Sequence, residues 1–329
     1  MSTRKPFLDL VAERVVVLDG AMGSALQERN DLDLERDWLG HENMSEVLNL
    51  TRPDVIREIH QGFLEAGCDA VETNSFGGNR IVMAEAGMPE KAYDVSRLSA
   101  QIAREACDEF ETPQRPRYVI GSIGPGTKLV SFGNTDWDEM EASYYENVRG
   151  LIDGGADVLL AETVQDLLQV KVTLSAIRRA FEATGKRLPI MVQASFDLNN
   201  GANMLTGPDP ETFVATFLPF PEIDVLGVNC AYGPQELSEA IQAICRLWPR
   251  YVSVLPNAGL PVMIDGRSSF PLGAADFADG MMRFVDEFGV NIVGGCCGTK
   301  VAHLRALIER LGSRGPLGVE AEDEVLAAV

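Results

Sequence analysis

A short recurring segment is the strongest constraint on how this chain folds. A glycine, one further residue, an Asp or Asn, and then an apolar run that ends in a polar residue occur at 67–73, 155–163 and 289–296. The glycine is typical of the left-handed residue that ends a helix. The apolar run is typical of a strand that is buried on both faces of a parallel sheet. The segment therefore indicates the return half of a β-α unit.

Other apolar runs fit the same role and complete a set of strands. Eight strands are predicted to begin near residues 15, 70, 118, 158, 189, 225, 252 and 291. Apolar stripes with helical spacing follow Pro53 and recur at 91–109, 138–153, 166–184, 234–247, 274–288 and 301–311. Every interval between strands is long enough for a crossover helix.

This alternation predicts an α/β fold, a (β/α)8 TIM barrel that forms a single domain over residues 1–311. An open doubly wound sheet is the competing fold. It is less favoured because no glycine-rich dinucleotide fingerprint follows the first strand.

Two segments stand outside the alternation. The first β-α connection, roughly residues 20–52, is unusually long and contains Trp38. Long connections are more often functional than idle, so we expect this loop either to cover the mouth of the barrel or to bind a partner. Residues 312–329 are turn-rich and acidic, and they are predicted to form a tail that is either disordered or a short docked helix.

The charge balance excludes several classes of partner. With 28 Lys and Arg against 49 Asp and Glu, the formal net charge is −21, which repels nucleic acids and anionic membranes. No apolar run approaches the ~20 residues that span a bilayer, and the first residues lack the apolar core of a secretory signal. We therefore expect a cytoplasmic protein whose cysteines are reduced thiols or metal ligands rather than disulfides.

Polar residues at the ends of the predicted strands are the candidates for function, because active sites of (β/α)8 barrels lie at the carboxyl ends of their strands. These residues are Asp19, Glu72, Thr73, Ser122, Glu162, Thr163, Ser195, Asn229, Cys230, Asn257, Cys296 and Cys297. The sixth strand ends in one cysteine and the eighth strand ends in two. The three thiols are therefore expected on one face of the barrel, where they can converge.

Thiolates are soft ligands that prefer zinc, and three protein ligands with an open fourth position are typical of a catalytic zinc. Structural cysteines, and nucleophilic or redox cysteines, are the alternatives that the spacing leaves open. The histidines do not compete as ligands, since His60 and His303 lie on predicted helices and His41 lies in the long first loop.

The remaining cysteines and two glycine-rich motifs have simpler interpretations. Cys68, Cys107 and Cys245 fall before a strand or within helices and are expected to be small buried hydrophobes. The segment at 121–128 resembles a phosphate loop, but its Thr precedes its Lys, which is the wrong order. The glycines at 20 and 23 mark either a tight turn or a close approach of a small ligand, with the preceding aspartate binding a cation.

Several motifs together carry a resemblance to a known family. They are LDGAMG at 18–23, LTRPDVIREIH at 50–60, VETNSFGGNR at 71–80, GSIGPGTK at 121–128, AET at 161–163, GVNC at 227–230, LPNAGLP at 255–261 and GGCCGT at 294–299. In this order they resemble the homocysteine S-methyltransferases. The resemblance is strongest to the homocysteine-binding module of cobalamin-dependent methionine synthase.

The resemblance implies a barrel that holds one zinc ion through Cys230, Cys296 and Cys297, with the fourth position open to the sulfur of homocysteine. It implies an enzyme that moves a methyl group to the zinc-bound thiolate of homocysteine and so forms methionine. Oligomeric state is not readable from the sequence.

The resemblance also implies how the substrate is held. Asp19 and Glu162 occupy the positions that bind the amino-acid end of homocysteine in the family, and Gly20 would border the substrate. Asn229 and Asn257 lie at motif positions that suggest contacts with the substrate or with the groups around the metal.

The methyl donor is left open by the motifs. No corrinoid-binding signature is present in the sequence, so we expect methylcobalamin on a separate corrinoid protein. Relatives that use betaine, S-methylmethionine or S-adenosylmethionine share the thiol motifs, and these free donors stay possible. The other hypotheses are a different thiol or selenol as acceptor, and a non-catalytic subunit that binds homocysteine or a corrinoid protein.

Overall fold

The structure is a computed structural model that describes residues 4–264 and 267–312. Its strands are β1 (Val16–Val17), β2 (Ala70–Glu72), β3 (Tyr118–Ile123), β4 (Val158–Val164), β5 (Ile190–Ala194), β6 (Val225–Asn229), β7 (Tyr251–Leu255), β8 (Val262–Ile264), β9 (Arg267–Ser269) and β10 (Ile292–Val293). Strands β8 and β9 form a short antiparallel hairpin that the apolar pattern did not predict.

The other eight strands form one parallel sheet in the order β1-β10-β7-β6-β5-β4-β3-β2. The sheet is a nearly closed barrel, because β1 and β2 meet through single bonds rather than a ladder. The amide of Asp69 donates to the carbonyl of Val17 at 2.7 Å, and the amide of Glu72 donates to Oδ1 of Asp19 at 3.0 Å. The predicted (β/α)8 barrel is confirmed, and the open doubly wound sheet is wrong.

The described helices include one for each predicted stripe and five shorter ones that no stripe predicted. They are α1 (Phe7–Glu13), α2 (Met22–Gln27), α3 (Leu48–Thr51), α4 (Pro53–Ala66), α5 (Arg80–Glu85), α6 (Ala92–Phe110), α7 (Trp137–Gly154), α8 (Leu167–Thr184), α9 (Pro210–Phe217), α10 (Ser238–Leu247), α11 (Ala274–Phe288) and α12 (Val301–Leu311). Helix α10 begins later than the stripe at 234–247. Helix α9 was missed because about two turns give a stripe too short to recognise.

Helix α1 closes the N-terminal end of the barrel. Its buried residues Phe7, Leu10 and Val11 belong to the same apolar cluster as Tyr118 and Leu160, whose side chains come from β3 and β4. The rings of Phe7 and Tyr118 meet edge to face, with centroids 5.2 Å apart. The barrel interior is therefore a packed core at this end, and any ligand must enter from the opposite end.

The long first loop carries α2 and α3 and packs onto the barrel. Trp38 is partly buried against two small apolar clusters beside α4 and α6. Residues 20–24 and 40–46 of this loop line the cavity at the mouth of the barrel. The predicted tail at 312–329 lies outside the described residues apart from Gly312, and the domain boundary at 311 stays a prediction. Among the described residues, none of the helices has the length and apolar character needed to span a bilayer.

Candidate metal and substrate site

Three thiols converge where β6 and β10 end. The Sγ atoms of Cys230, Cys296 and Cys297 all lie within 4.8 Å of one another, and those of Cys230 and Cys297 are 3.9 Å apart. Two Zn–S bonds of ~2.3 Å at a tetrahedral angle would hold their sulfurs ~3.8 Å apart. The donor atoms and their spacing therefore fit a zinc ion, and the predicted convergence of the thiols is what the structure has.

Backbone hydrogen bonds and glycines hold the Cys296–Cys297 pair. The amide of Cys296 donates to the carbonyl of Pro256 at 2.7 Å, and the amide of Ala258 donates to the carbonyl of Cys297 at 2.9 Å. A Cβ at Gly295 would lie 2.2 Å from the side chain of Thr299. Only glycine fits there, so the glycines of this motif let the chain fold back and direct both sulfurs to the mouth.

The Cys230 turn reaches the same place by a less favourable backbone. Cys230 and Ala231 have φ angles of +61° and +60°, and neither is a glycine. Each such residue costs roughly 1–2 kcal/mol compared with an ordinary conformation. The amide of Cys230 donates to the carbonyl of Leu255 at 3.0 Å, which ties the turn to the neighbouring strand β7.

The cysteine cluster shares its protons unequally. Hydrogen bonds from the thiols of Cys296 and Cys297 lower the pKa of Cys230 to about 3. The hydrogen bond to Cys230 raises the pKa of Cys297 to about 12, and it also raises the pKa of Cys296 well above its ordinary value. A divalent cation held by the three sulfurs would favour their deprotonated forms.

Three carboxyl groups lie at the same end of the barrel as the thiols, at the ends of β1, β2 and β4. Burial raises the pKa of Asp19 and Glu72 well above the ordinary range and raises the pKa of Glu162 to about 7. Oε1 of Glu72 is buried and has no hydrogen-bond partner. Among the described residues, no Lys or Arg lines this cavity. A ligand that brings a positive charge would therefore be stabilised here.

Two polar side chains orient the carboxylate of Glu162. The hydroxyl of Ser122 donates to its Oε1, and Nδ2 of Asn229 donates to its Oε2 at 3.1 Å. Oδ1 of Asn229 accepts the amide of Thr163 at 2.7 Å and so supports the φ of +53° at that residue. Asn229 precedes Cys230 in the chain, so the residue that binds the Glu162 carboxylate is bonded directly to the residue that carries one of the three thiols.

Glu72, Glu162 and the three thiols open into one cavity of about 790 Å³. Gly20, Glu162 and the three cysteines line it, as the motifs suggested.

The other predicted site residues are placed around this cavity. Asp19 is 2% exposed and lies beside it, while Asn229 and Asn257 lie behind its wall. The sequence places Glu72 and Ser122 at strand ends but predicts no role for either. Cys68 and Cys107 are fully buried in the core, as expected.

The chain is similar to several known proteins. A family model described as homocysteine S-methyltransferase matches residues 16–311. The chain is 42% identical over 298 residues to the methionine synthase of Mycobacterium tuberculosis (strain ATCC 25618 / H37Rv), which covers 91% of the chain and 25% of that protein. It is equally similar to the methionine synthase of Mycobacterium leprae (strain TN), of which it covers 24%. The chain thus spans about a quarter of the length of these relatives.

Solved structures of similar fold include the homocysteine methyltransferase MmuM from Escherichia coli. Its oxidized form has a TM-score of 0.69 and 25% identity, with 90% of this chain and 96% of that chain covered. Its metallated form has a TM-score of 0.73 and 24% identity, with 92% and 99% covered. Because its identity is only 24%, the likeness to the metallated form supports the fold alone.

Proposed function

The chain belongs to the homocysteine S-methyltransferase family, and from that premise we propose that it transfers a methyl group to the sulfur of homocysteine and so forms methionine. The observation that carries the proposal is the convergence of three thiols in a cavity that is also lined by buried carboxyl groups. A homocysteine molecule has a thiol at one end and an ammonium group at the other. The cysteine cluster, through a bound metal, and the carboxyl groups of the cavity suit those two groups.

Cys230, Cys296 and Cys297 are proposed to hold one zinc ion. A bound zinc would keep the sulfur of homocysteine in its deprotonated, nucleophilic form, although a free thiol has a pKa of ~8.5. The three cysteines contribute their negative charge to this side of the mouth. That charge disfavours tight retention of a further thiolate and so favours a sulfur that is ready to react.

Asp19 and Glu162 are proposed to bind the ammonium group of the substrate. Both are buried, and both gain from a positive charge because burial without a cation raises their pKa values. Asn229 holds Glu162 in place, and Asn257 packs behind the Cys230 turn, where its amide donates to the carbonyl of Tyr232 at 2.9 Å. Gly20 presents bare backbone at the cavity wall.

The rim of the cavity supports a protein-borne methyl donor. Among the described residues, the large apolar side chains that are exposed all follow barrel strands and so surround the mouth. They are Leu34, Leu39, Phe76, Phe132, Trp137, Leu205, Leu260, Val262 and Met263. A protein that docked at the mouth would remove these side chains from water, which favours association. We therefore propose that methylcobalamin is delivered on a separate corrinoid protein that docks at this rim.

The charge of the cavity favours a second candidate, a free donor. Glu42, Glu46 and Glu85 line the cavity together with Glu72 and Glu162. This acidic lining attracts donors with a cationic centre, such as betaine, S-methylmethionine or S-adenosylmethionine.

The test is methionine formation from homocysteine by the zinc-loaded protein with each donor in turn, using an isotopically labelled methyl group and mass spectrometry. A Cys297→Ala variant is the control. If methylcobalamin is the only donor that gives labelled methionine, and a corrinoid protein increases the rate, the first donor is supported. If a free cationic donor gives labelled methionine, the second is supported. Thermal stabilisation by homocysteine without turnover of any donor would instead indicate a binding subunit.

A further inference from the structure

The turn that carries Cys230 needs external support. Cys230 and Ala231 are successive non-glycine residues in the left-handed region. Such residues persist only where the surrounding structure holds them. The Cys296–Cys297 arm has flanking glycines and several backbone hydrogen bonds, whereas the Cys230 turn has no glycine of its own between β6 and Tyr232. The Cys230 turn must therefore be held in its conformation by residues outside it.

Tyr232 is bonded to the turn through its backbone. Its amide donates to the carbonyl of Cys230 at 2.8 Å, which closes the turn, and its carbonyl accepts the amide of Asn257 at 2.9 Å. Its ring is partly buried against the main apolar core. The position of Tyr232 therefore fixes the backbone of Cys230 from the C-terminal side.

The phenol of Tyr232 reaches a second loop, the one that follows β5. The hydroxyl donates to Oδ1 of Asp197 at 2.7 Å and accepts Nδ2 of Asn199 at 3.0 Å. Asp197 is itself held, because its amide donates to the carbonyl of Asn203 at 2.8 Å and its Oδ1 accepts the amide of Asn199 at 2.9 Å. This loop therefore offers a fixed anchor for the hydroxyl.

We propose that Tyr232, anchored by Asp197, is a positioning residue that keeps the Cys230 thiol within reach of the Cys296–Cys297 pair and so sets the affinity of the chain for zinc. Without the anchor, the turn relaxes toward ordinary φ values and its sulfur leaves the cluster. The inference rests on the proposed zinc site, and it assigns a role in metal binding to two residues that contribute no ligand atom.

The test compares three variants of the whole chain. Tyr232→Phe removes only the hydroxyl, and Asp197→Ala removes its acceptor. Tyr93→Phe is the matched control, because the hydroxyl of Tyr93 donates to Oδ2 of Asp153 at 3.0 Å between α6 and α7. The measurements are the zinc dissociation constant, by competition with a chromophoric chelator, and the thiolate-to-metal absorption of the cobalt-substituted protein.

Tyr232→Phe and Asp197→Ala are each expected to weaken zinc binding about 3- to 10-fold, as for the loss of one hydrogen bond. The double variant should be no weaker than the single ones, because both remove the same contact. The cobalt band should lose intensity in these variants and stay unchanged in Tyr93→Phe.

Three results would contradict the inference. If Tyr232→Phe binds zinc as tightly as the wild type and has the same cobalt spectrum, the inference fails while the proposed function stands. If Tyr93→Phe weakens zinc binding equally, the effect belongs to general stability. A wild-type chain that binds no zinc would overturn the proposed function as well, so the two failures are distinguishable.

Discussion

Buried carboxylates occur at both ends of the barrel, but their surroundings differ. At the N-terminal end, Asp69 accepts two hydrogen bonds from Arg14 at 2.6 and 2.8 Å, and Arg117 lies 3.7 Å away. At the mouth, within the described part of the chain, Asp19 has a hydrogen bond from a backbone amide, and Oε1 of Glu72 has none. The paired carboxylate stabilises the fold, while the unpaired ones cost stability until a cationic ligand binds.

The cysteines repeat this difference. Cys68 is fully buried at the N-terminal end, where burial raises its pKa well above the ordinary range. Cys297 is partly exposed at the mouth and lies 3.9 Å from the sulfur of Cys230. One thiol is a packing group and the other belongs to a cluster that fits a metal. Matched substitutions at the two ends test whether this division of roles holds.

The thiol pair should give the largest contrast. Cys297→Ala is expected to abolish stoichiometric zinc retention and methyl transfer, because two thiolates bind zinc far more weakly than three, while the barrel stays folded. Cys68→Ala should cost about 1 kcal/mol of unfolding free energy and leave zinc content unchanged. Elemental analysis and circular dichroism check both. Zinc loss in Cys68→Ala, or full zinc and activity in Cys297→Ala, would mean that the assignment of the two ends is wrong.

The N-terminal carboxylate should come next in effect. Asp69→Asn leaves Arg117, which is 3% exposed, without its compensating charge, and we expect a loss of about 3 kcal/mol of unfolding free energy. Urea unfolding measures this loss. The affinity for homocysteine, measured by calorimetry on the folded variant, should stay within about twofold. A large change in that affinity would show that the two ends are not independent.

The mouth carboxylate should show the opposite pattern. Glu162→Gln keeps the shape of the side chain and removes its charge. The affinity for homocysteine is expected to fall about 10- to 100-fold with the loss of a buried charge-assisted contact, since 1.4 kcal/mol is tenfold. The unfolding free energy of the ligand-free protein should not fall. A clear destabilisation without loss of affinity would assign Glu162 to the fold rather than to the substrate.

The last contrast is a dependence of stability on pH. Burial raises the pKa of Glu162 to about 7 in the folded protein, above its ordinary value of 4.5. The folded state therefore holds this proton more tightly than the unfolded state does. Its stabilising contribution is complete below the ordinary value and is lost as the pH rises through about 7.

Paired urea titrations of the wild type and Glu162→Gln across this pH range isolate the contribution of Glu162. The difference in unfolding free energy between the two proteins should shift in favour of Glu162→Gln as the pH rises. A difference that does not change with pH would contradict the raised pKa.

Much of the fold was predictable because each barrel strand is a short apolar run, and the long helix that follows most strands has an apolar stripe with helical spacing. The strand starts at 70, 118, 158 and 225 agree with the structure to the residue. Helices α1, α2, α3, α5 and α9 and the antiparallel pair β8–β9 were not predicted, because each is too short to show a period. The domain boundary at 311 lies at the end of the family match and stays a prediction.

The site was predictable only in part. Its strand-end residues were visible in the sequence, since a strand end fixes which face a side chain occupies. The unpaired oxygen of Glu72 depends on what surrounds it in space, which spacing does not reveal. The bond between Tyr232 and Asp197 joins two loops that no motif links, and a left-handed φ at Cys230 carries no glycine to mark it.

Asp19 has two roles, and the second follows from the way the barrel closes. Its Oδ1 accepts a hydrogen bond from the amide of Glu72 across the gap between β1 and β2. The carboxylate proposed to bind the substrate therefore also joins the two strands at which the barrel closes. Binding of a ligand at the amino-acid site and local opening of the contact between β1 and β2 then affect each other. Protection of the Glu72 amide from hydrogen exchange should report directly on how firmly a ligand holds the mouth.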